Sequence, residues 1–319
     1  MIWRLFDGRA GHENQVRGLS DAMARLYPCR NVDICISAAI RGCRSLLPGR
    51  MEFCRDFPKP DLLVAAGHGT HWPLIRLQRR FGGRSVVIMR PGLPSSFFDL
   101  CVVPAHDRWV QGPRVIVTEG ALNRIRPEHH RRAECGAFLI GGPSRHFQWS
   151  DTLVLSKISD VVTRSELPYI LMTSQRTPSS FHVALRESGL HLRVRSADAV
   201  FGTSPNEVLS ICREAWVSCD SVSMIYEAIT SGCRVGLLEL PAGRPGRLSQ
   251  NVDRLCQRGL ATSWTSWRNG RPLVSQSHFC EADRVAAMLL EAMNLAPTQG
   301  FDVTPESDTP SECHEKNIA

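Results

Sequence analysis

The chain lacks any stretch approaching the length of a membrane span. It also lacks a secretory h-region, because Met1-Ile2-Trp3-Arg4-Leu5-Phe6 passes straight into a polar loop. A cytoplasmic protein is therefore expected. None of the twelve cysteines forms a C-x-x-C pair, and Cys35, Cys101 and Cys135 lie in or beside apolar runs. That pattern argues against a disulfide framework and suits small buried hydrophobes in a reducing compartment. Zinc-finger spacing and an aromatic-interleaved RNA-binding signature are missing too, so nucleic acid is not an expected partner despite a net charge of +7. No segment reads G-x-G-x-x-G, so the chain carries no dinucleotide fingerprint. No D-x-D pair occupies a loop suited to a metal-held diphosphate, and no solenoid period repeats.

What is present fits a globular protein. The 319 residues are enough for two domains with separate cores. Arginine carries most of the positive charge, in clusters such as Arg76/Arg79/Arg80 and His129-His130-Arg131-Arg132. A basic surface suits an anionic membrane or a phosphorylated substrate, and also an ordinary solvated face.

The chain is organised around Val217 to Pro241, where an apolar run ends at Ser218-Cys219-Asp220-Ser221. A helical stretch, Val222 to Thr230, follows and closes at Ser231-Gly232, and a second apolar run covers Arg234–Leu240. This reads as strand, helix, strand, with glycine where a helix end takes left-handed φ. The first amides of such a helix have no partners, and its dipole is positive there, so the Ser221 and Ser223 end is an anion site. Glu227 lies four residues beyond Ser223 on one helical face, where an acceptor suits the hydroxyls of a ribose. The plainer alternative is a βαβ unit whose Ser and Asp cap a helix.

Taken in order, the chain opens with a strand, Ile2–Phe6, and the loop Asp7-Gly8-Arg9-Ala10-Gly11-His12-Glu13-Asn14-Gln15. A helix with Val16, Leu19, Met23 and Leu26 on one face then runs to about Tyr27. Strand, Gly-containing loop and helix is how doubly wound nucleotide-binding folds begin. His12 is a candidate general base, because imidazole titrates near neutral pH; a surface or capping histidine is the alternative. Asp61–Ala66 ends in Gly67-His68-Gly69-Thr70-His71, again at the C-terminal end of a strand, where open α/β sheets bind ligands. His68 and His71 have no third ligand nearby, so they are candidates for hydrogen bonding in a cleft rather than for zinc.

The charged stretch Pro127–Glu134 reads as an interdomain linker, after which the pattern restarts. Ala137–Ile140 leads into Gly141-Gly142-Pro143-Ser144, and Tyr169–Thr173 into Ser174-Gln175-Arg176. Glu207–Arg213 and Asn251–Gly259 read as helices. Glycine amides, hydroxyls and a guanidinium in three successive βα loops (Gly141, Gly142 and Ser144; Ser174 and Arg176; Ser221 and Ser223) are what a diphosphate needs. Helix caps on an ordinary sheet remain the alternative. Leu295–Ala319 is rich in Pro, Thr, Ser and Glu and reads as a disordered tail.

The motifs D-G-R-A-G-H-E-N-Q (7–15), A-G-H-G-T-H (66–71), F-D-L-C-V-V-P-x-H-D (98–107), G-G-P-S-R-H (141–146) and S-C-D-S-V-S-M-I-Y-E-A (218–228) carry a resemblance. Over Ile2 to Leu260 the chain resembles the family named for the plant mitochondrial-fission protein "elongated mitochondria". Its bacterial members are often labelled predicted nucleoside-diphosphate-sugar epimerases. That family in turn resembles GT-B glycosyltransferases such as lipid A disaccharide synthase and the peptidoglycan N-acetylglucosamine transferase. The resemblance implies an α/β fold of two Rossmann-like domains with a cleft between them. Residues 1–132 would form the acceptor side and 133–294 the nucleotide-sugar side, with 295–319 as the tail.

In those enzymes a Ser–Gly–x–x–Thr–x–Glu type pattern places the glutamate on the ribose. Ser221 and Glu227 keep the six-residue separation, with Val222 in place of the glycine. The implied donor set is Gly141, Gly142, Ser144, Ser174, Arg176, Ser221, Ser223 and Glu227. The implied acceptor side comprises Asp7, Gly8, Gly11, Asn14, His68 and His71, with His12 as base. The implied activity is metal-independent glycosyl transfer from a nucleotide-diphosphate sugar, UDP-sugars included, with no resident cofactor. The acceptor would be a lipid-linked or envelope glycan, reached from the inner face of an anionic membrane. The alternatives are sugar-nucleotide epimerisation and a non-catalytic adaptor.

Overall fold

Leu62–Ala66, Gly136–Ile140 and Tyr169–Thr173 are apolar at nearly every position rather than alternating, the pattern of strands covered on both faces. All three are strands of parallel sheets, and every residue in them is buried. The computed structural model describes residues 1–36, 52–107, 109–127, 134–195, 204–243, 247–276 and 278–294. The core of the Pro127–Glu134 stretch (128–133) and the 295–319 tail lie outside the described residues.

The chain divides into two units, Met1–Arg124 with the segment from Glu281, and Ile125–Cys280. The first unit holds β1 (Ile2–Phe6), α1 (Ala10–Leu26), β2 (Asn31–Cys35), β3 (Leu62–Ala66), α2 (His71–Phe81), β4 (Arg84–Ile88), β5 (Leu100–Pro104) and β6 (Val115–Thr118). Its sheet runs β2-β1-β3-β4-β5-β6, parallel throughout. Trp3, Leu63, Leu74, Val87 and Val103 are among its core.

The second unit holds β7 (Gly136–Ile140), α3 (Asp151–Arg164), β8 (Tyr169–Thr173), α4 (Ser179–Glu187), β9 (Arg193–Arg195), α5 (Pro205–Ile211) and β10 (Glu214–Ser218). It continues with α6 (Val222–Thr230), β11 (Arg234–Leu238), α7 (Arg247–Gln257), β12 (Thr262–Ser263) and α8 (Trp264–Arg268). The strand order is β12-β11-β10-β7-β8-β9, again all parallel. Its edges are blunted: β12 has two residues, and all three residues of β9 are exposed. Ser150 and Ser204 cap α3 and α5, the latter in a capping box with Glu207. Gly232 closes α6 at φ 79°, as its place after the helix requires.

Three expectations are corrected. The segment from Ala10 to Gln15 is helix rather than loop, so Gly11, His12 and Asn14 ride on the first turns of α1. Arg213 lies beyond α5, which stops at Ile211. The last helix, α9 (Glu281–Ala292), joins the first unit rather than extending the second to residue 294. It packs on α1, where Arg25 pairs with Asp283. The Glu281 carboxylate accepts the Glu119 amide at 2.8 Å, and Arg284 donates to the Val117 carbonyl at 2.9 Å. Local periodicity marks this helix but cannot say which sheet it returns to. Among the described residues no helix is long and apolar enough to cross a membrane.

Candidate functional site

Because β10, β7 and β8 are neighbours, their C-terminal ends bring the loops 219–221, 141–150 and 174–178 together at one end of the second sheet. Asp220 organises this crown. Its side chain is fully buried, and one carboxylate oxygen accepts both the Gly142 amide (3.0 Å) and an Arg176 guanidinium N–H (2.8 Å). A carboxylate taken out of water this completely needs such charged and polar partners. The other nitrogen of the Arg176 fork donates to the carbonyls of Gly142 and Pro143, each at 3.2 Å. A Cβ on Gly141 would run into the Asp220 carboxylate, and one on Gly142 into the Arg176 carbonyl. Only glycine permits this approach, so the Gly-Gly pair is a packing requirement.

The expected phosphate cradle is thereby redrawn. The Gly141 amide donates to Ser218 Oγ at 2.8 Å and the Gly142 amide to Asp220, so neither is presented to a ligand. Ser144 Oγ accepts the amides of His146 and Phe147, and Ser174 Oγ that of Arg176, bracing their own turns. What remains is the start of α6. Ser221 makes no side-chain cap bond, so the amides of Val222, Ser223 and Met224 have no intrahelical acceptor and stand at the positive end of the dipole. Ser221 is half-buried and Ser223 exposed, while Glu227 is buried one turn further along the Ser223 face. Arg176, 44% exposed, is held beside this end by Asp220.

The first sheet carries a different crown. β1 and β3 are adjacent, which brings Asp7, the start of α1 and the Gly67–Thr70 turn together. His12 Nδ1 lies 3.0 Å from Asp7 Oδ2, and the other Asp7 oxygen accepts the Arg9 amide at 3.2 Å. Asp7 is buried, and the His12 side chain keeps 15% of its surface. With the carboxylate on Nδ1, the neutral ring carries its proton there and its lone pair on Nε2, the tautomer a general base needs. Gly67, at φ 86°, lets the backbone pass directly under the ring, where any Cβ would strike Nδ1. Gly8 and Gly11 are exposed beside the dyad, and Asn14 is half-buried on the next turn of α1. Met89 holds φ 76° at the end of β4, a strained conformation for a residue with a side chain, and nothing in its sequence context signals it.

His68 and His71 have ring centroids 5.3 Å apart but differ in exposure. His68 is exposed with Gly92 against its ring. His71 is buried, edge-on to Phe98 at 5.5 Å, and burial together with His68 lowers its pKa to about 4. His71 is thus a neutral core residue rather than part of an acceptor cleft. Asp220, Ser218 and Thr177, which donates to the Ile140 carbonyl at 3.1 Å, were not expected as site residues. Small polar residues just past a strand are their only sequence signal. Among the described residues no group of three or more His, Cys, Asp and Glu is placed to hold a metal ion.

Two all-parallel α/β units, each with its polar loops at the strand ends, define a GT-B-like protein. The solved structures it resembles include the UDP-GlcNAc 2-epimerase of Methanocaldococcus jannaschii (TM-score 0.54, 9% identity, 91% of this chain and 100% of that one). Another is the S. aureus MnaA–UDP co-structure (TM-score 0.51, 12% identity, 95% and 99%). Residues 10–293 match the family Mitochondrial fission ELM1, and the chain belongs to that family. A relative in Rickettsia prowazekii (strain Madrid E), the uncharacterized protein RP120, is 22% identical over 92% of this chain and 99% of its own length.

Proposed function

We propose that the protein is a metal-independent glycosyltransferase that uses a nucleotide-diphosphate sugar. The observation that carries this reading is the uncapped N-terminus of α6 beside an Arg176 fixed by buried Asp220. Helix amides and a guanidinium are the groups that receive a leaving diphosphate without a metal ion. Ser221, Ser223 and Arg176 take the phosphates, and Glu227 takes the ribose hydroxyls. Gly141, Gly142, Ser144 and Ser174 shape the loops that hold them. His12, oriented by Asp7, removes the proton of the acceptor hydroxyl. The complex of S. aureus MnaA with UDP supports a uridine nucleotide.

The acceptor we favour is a lipid-linked or envelope glycan, met by the protein at the inner face of an anionic membrane. Arg76, Arg79 and Arg80 on α2 and the exposed Phe97, 6.4 Å from Trp72, support that surface contact. Epimerisation is the second reading, favoured by the Asp7–His12 dyad as a ready acid–base pair. Incubation with UDP-N-acetylglucosamine, with and without lipid extract, separates the two. Transfer predicts free UDP only when an acceptor is present. A second UDP-sugar formed without acceptor overturns transfer in favour of epimerisation.

A further inference from the structure

Among the described residues, Cys54 and Cys101 are thiols buried in the core of the first unit. Burial pushes Cys54 up to about 12 and Cys101 up to about 11, and both behave as small hydrophobes. Cys135 and Cys212 differ. Both are thiols, and their Sγ atoms are 3.3 Å apart. Cys135 immediately precedes β7, and Cys212 follows α5 as its C-cap, two residues before β10. Those strands pair in register, Gly136 opposite Glu214, and the Arg213 amide donates to the Cys135 carbonyl at 2.9 Å. The Cys212 amide is fixed as well, on the Val208 carbonyl at 3.2 Å. Two backbones pinned by hydrogen bonds thus hold two sulfurs roughly 1 Å further apart than a disulfide requires.

Cys135 is half-buried and Cys212 fully buried, so a reagent in solvent meets Cys135 first. The pair lies at the strand starts, one strand length (about 17 Å) from the Asp220 crown.

We propose that Cys135 and Cys212 are a redox modification site that closes reversibly to a disulfide, with a small disulfide such as oxidised glutathione as its oxidant. The Cys135 thiolate attacks a glutathione sulfur, forming a mixed disulfide and expelling one glutathione thiolate. The Cys212 thiolate then attacks the Cys135 sulfur and expels the second. Two protein thiols are oxidised, one oxidised glutathione is reduced to two thiols, and the two protein protons end on them. Cys233 is the competing thiol nearby, its Sγ directed at the carbonyls of Cys212 and Leu209, at 3.2 and 3.5 Å.

The test is incubation of the full chain with oxidised glutathione, followed by thiol blocking, intact-mass spectrometry and non-reducing peptide mapping. The wild type should lose two hydrogens, yield a linked Cys135–Cys212 peptide, and melt roughly 5 °C higher until dithiothreitol is added. Cys212→Ser should instead keep one glutathione on Cys135, and Cys135→Ser should give neither linkage nor an adduct at Cys212. A linkage to Cys233, a persistent glutathione adduct on the wild type, or two unreacted thiols would overturn the proposal.

Discussion

At the end of the first sheet a buried carboxylate, Asp7, holds an imidazole; at the end of the second a buried carboxylate, Asp220, holds a guanidinium and a backbone amide. Both acids sit just past a parallel strand, and in both crowns glycine lets a neighbour come into direct contact. The partner makes the difference. An imidazole held by one nitrogen leaves the other able to move a proton. A guanidinium never gives up its charge, so the same device becomes an anchor for anions. On the proposed reading, the first crown moves a proton and the second holds charge.

That contrast breaks most visibly at His12. His12→Ala should lower turnover by about 10²–10⁴-fold while leaving nucleotide affinity within about twofold. Steady-state kinetics beside calorimetry checks this, and a matching loss of affinity would merge the two roles. Next in size is a pH effect on stability, set by the buried His71. His71 has its pKa lowered from 6.5 to about 4, so the unfolded chain binds the extra proton between those values. Its contribution is complete above pH 6.5 and is lost as pH falls toward 4, costing about 3 kcal/mol. Urea titrations at pH 7 and pH 4 measure the loss, and His71→Phe should shrink it.

Asp220→Asn comes third. Arg176 is 44% exposed, which discounts the usual penalty for breaking a buried pair, and about 2 kcal/mol of stability should go. Nucleotide affinity should fall with it, whereas Asp7→Asn should leave affinity alone. Smallest is Glu227→Ala, expected to weaken nucleotide binding about tenfold by removing a charge-assisted hydrogen bond. Unchanged affinity there would remove Glu227 from the ribose.

Much of this was legible in the sequence. The apolar runs give the strands, with β1, β8 and the helix α6 found to the residue, because parallel strands between helices leave a strong local signal. His12, Arg176 and the α6 terminus were visible as polar residues at strand ends. The satisfied amides of Gly141 and Gly142 were not, since a Gly-Gly turn reads the same whether its N–H groups face a ligand or a side chain from the neighbouring strand, 77 or 78 residues along the chain. His71 failed for a related reason: its burial comes from Phe98, 27 residues further along the chain. The return of α9 to the first unit depends on Arg25–Asp283 and Glu119–Glu281, pairings across most of the chain that no window registers.

On the proposed reading, the Asp220 crown binds a nucleoside diphosphate. Calorimetric titration of the purified chain with UDP, ADP, GDP and CDP, wild type beside Glu227→Ala, tests it most directly. UDP should bind the wild type saturably and the variant about tenfold more weakly. If no nucleotide binds at millimolar concentration, the donor-site account is contradicted, and a non-catalytic adaptor becomes the reading to pursue.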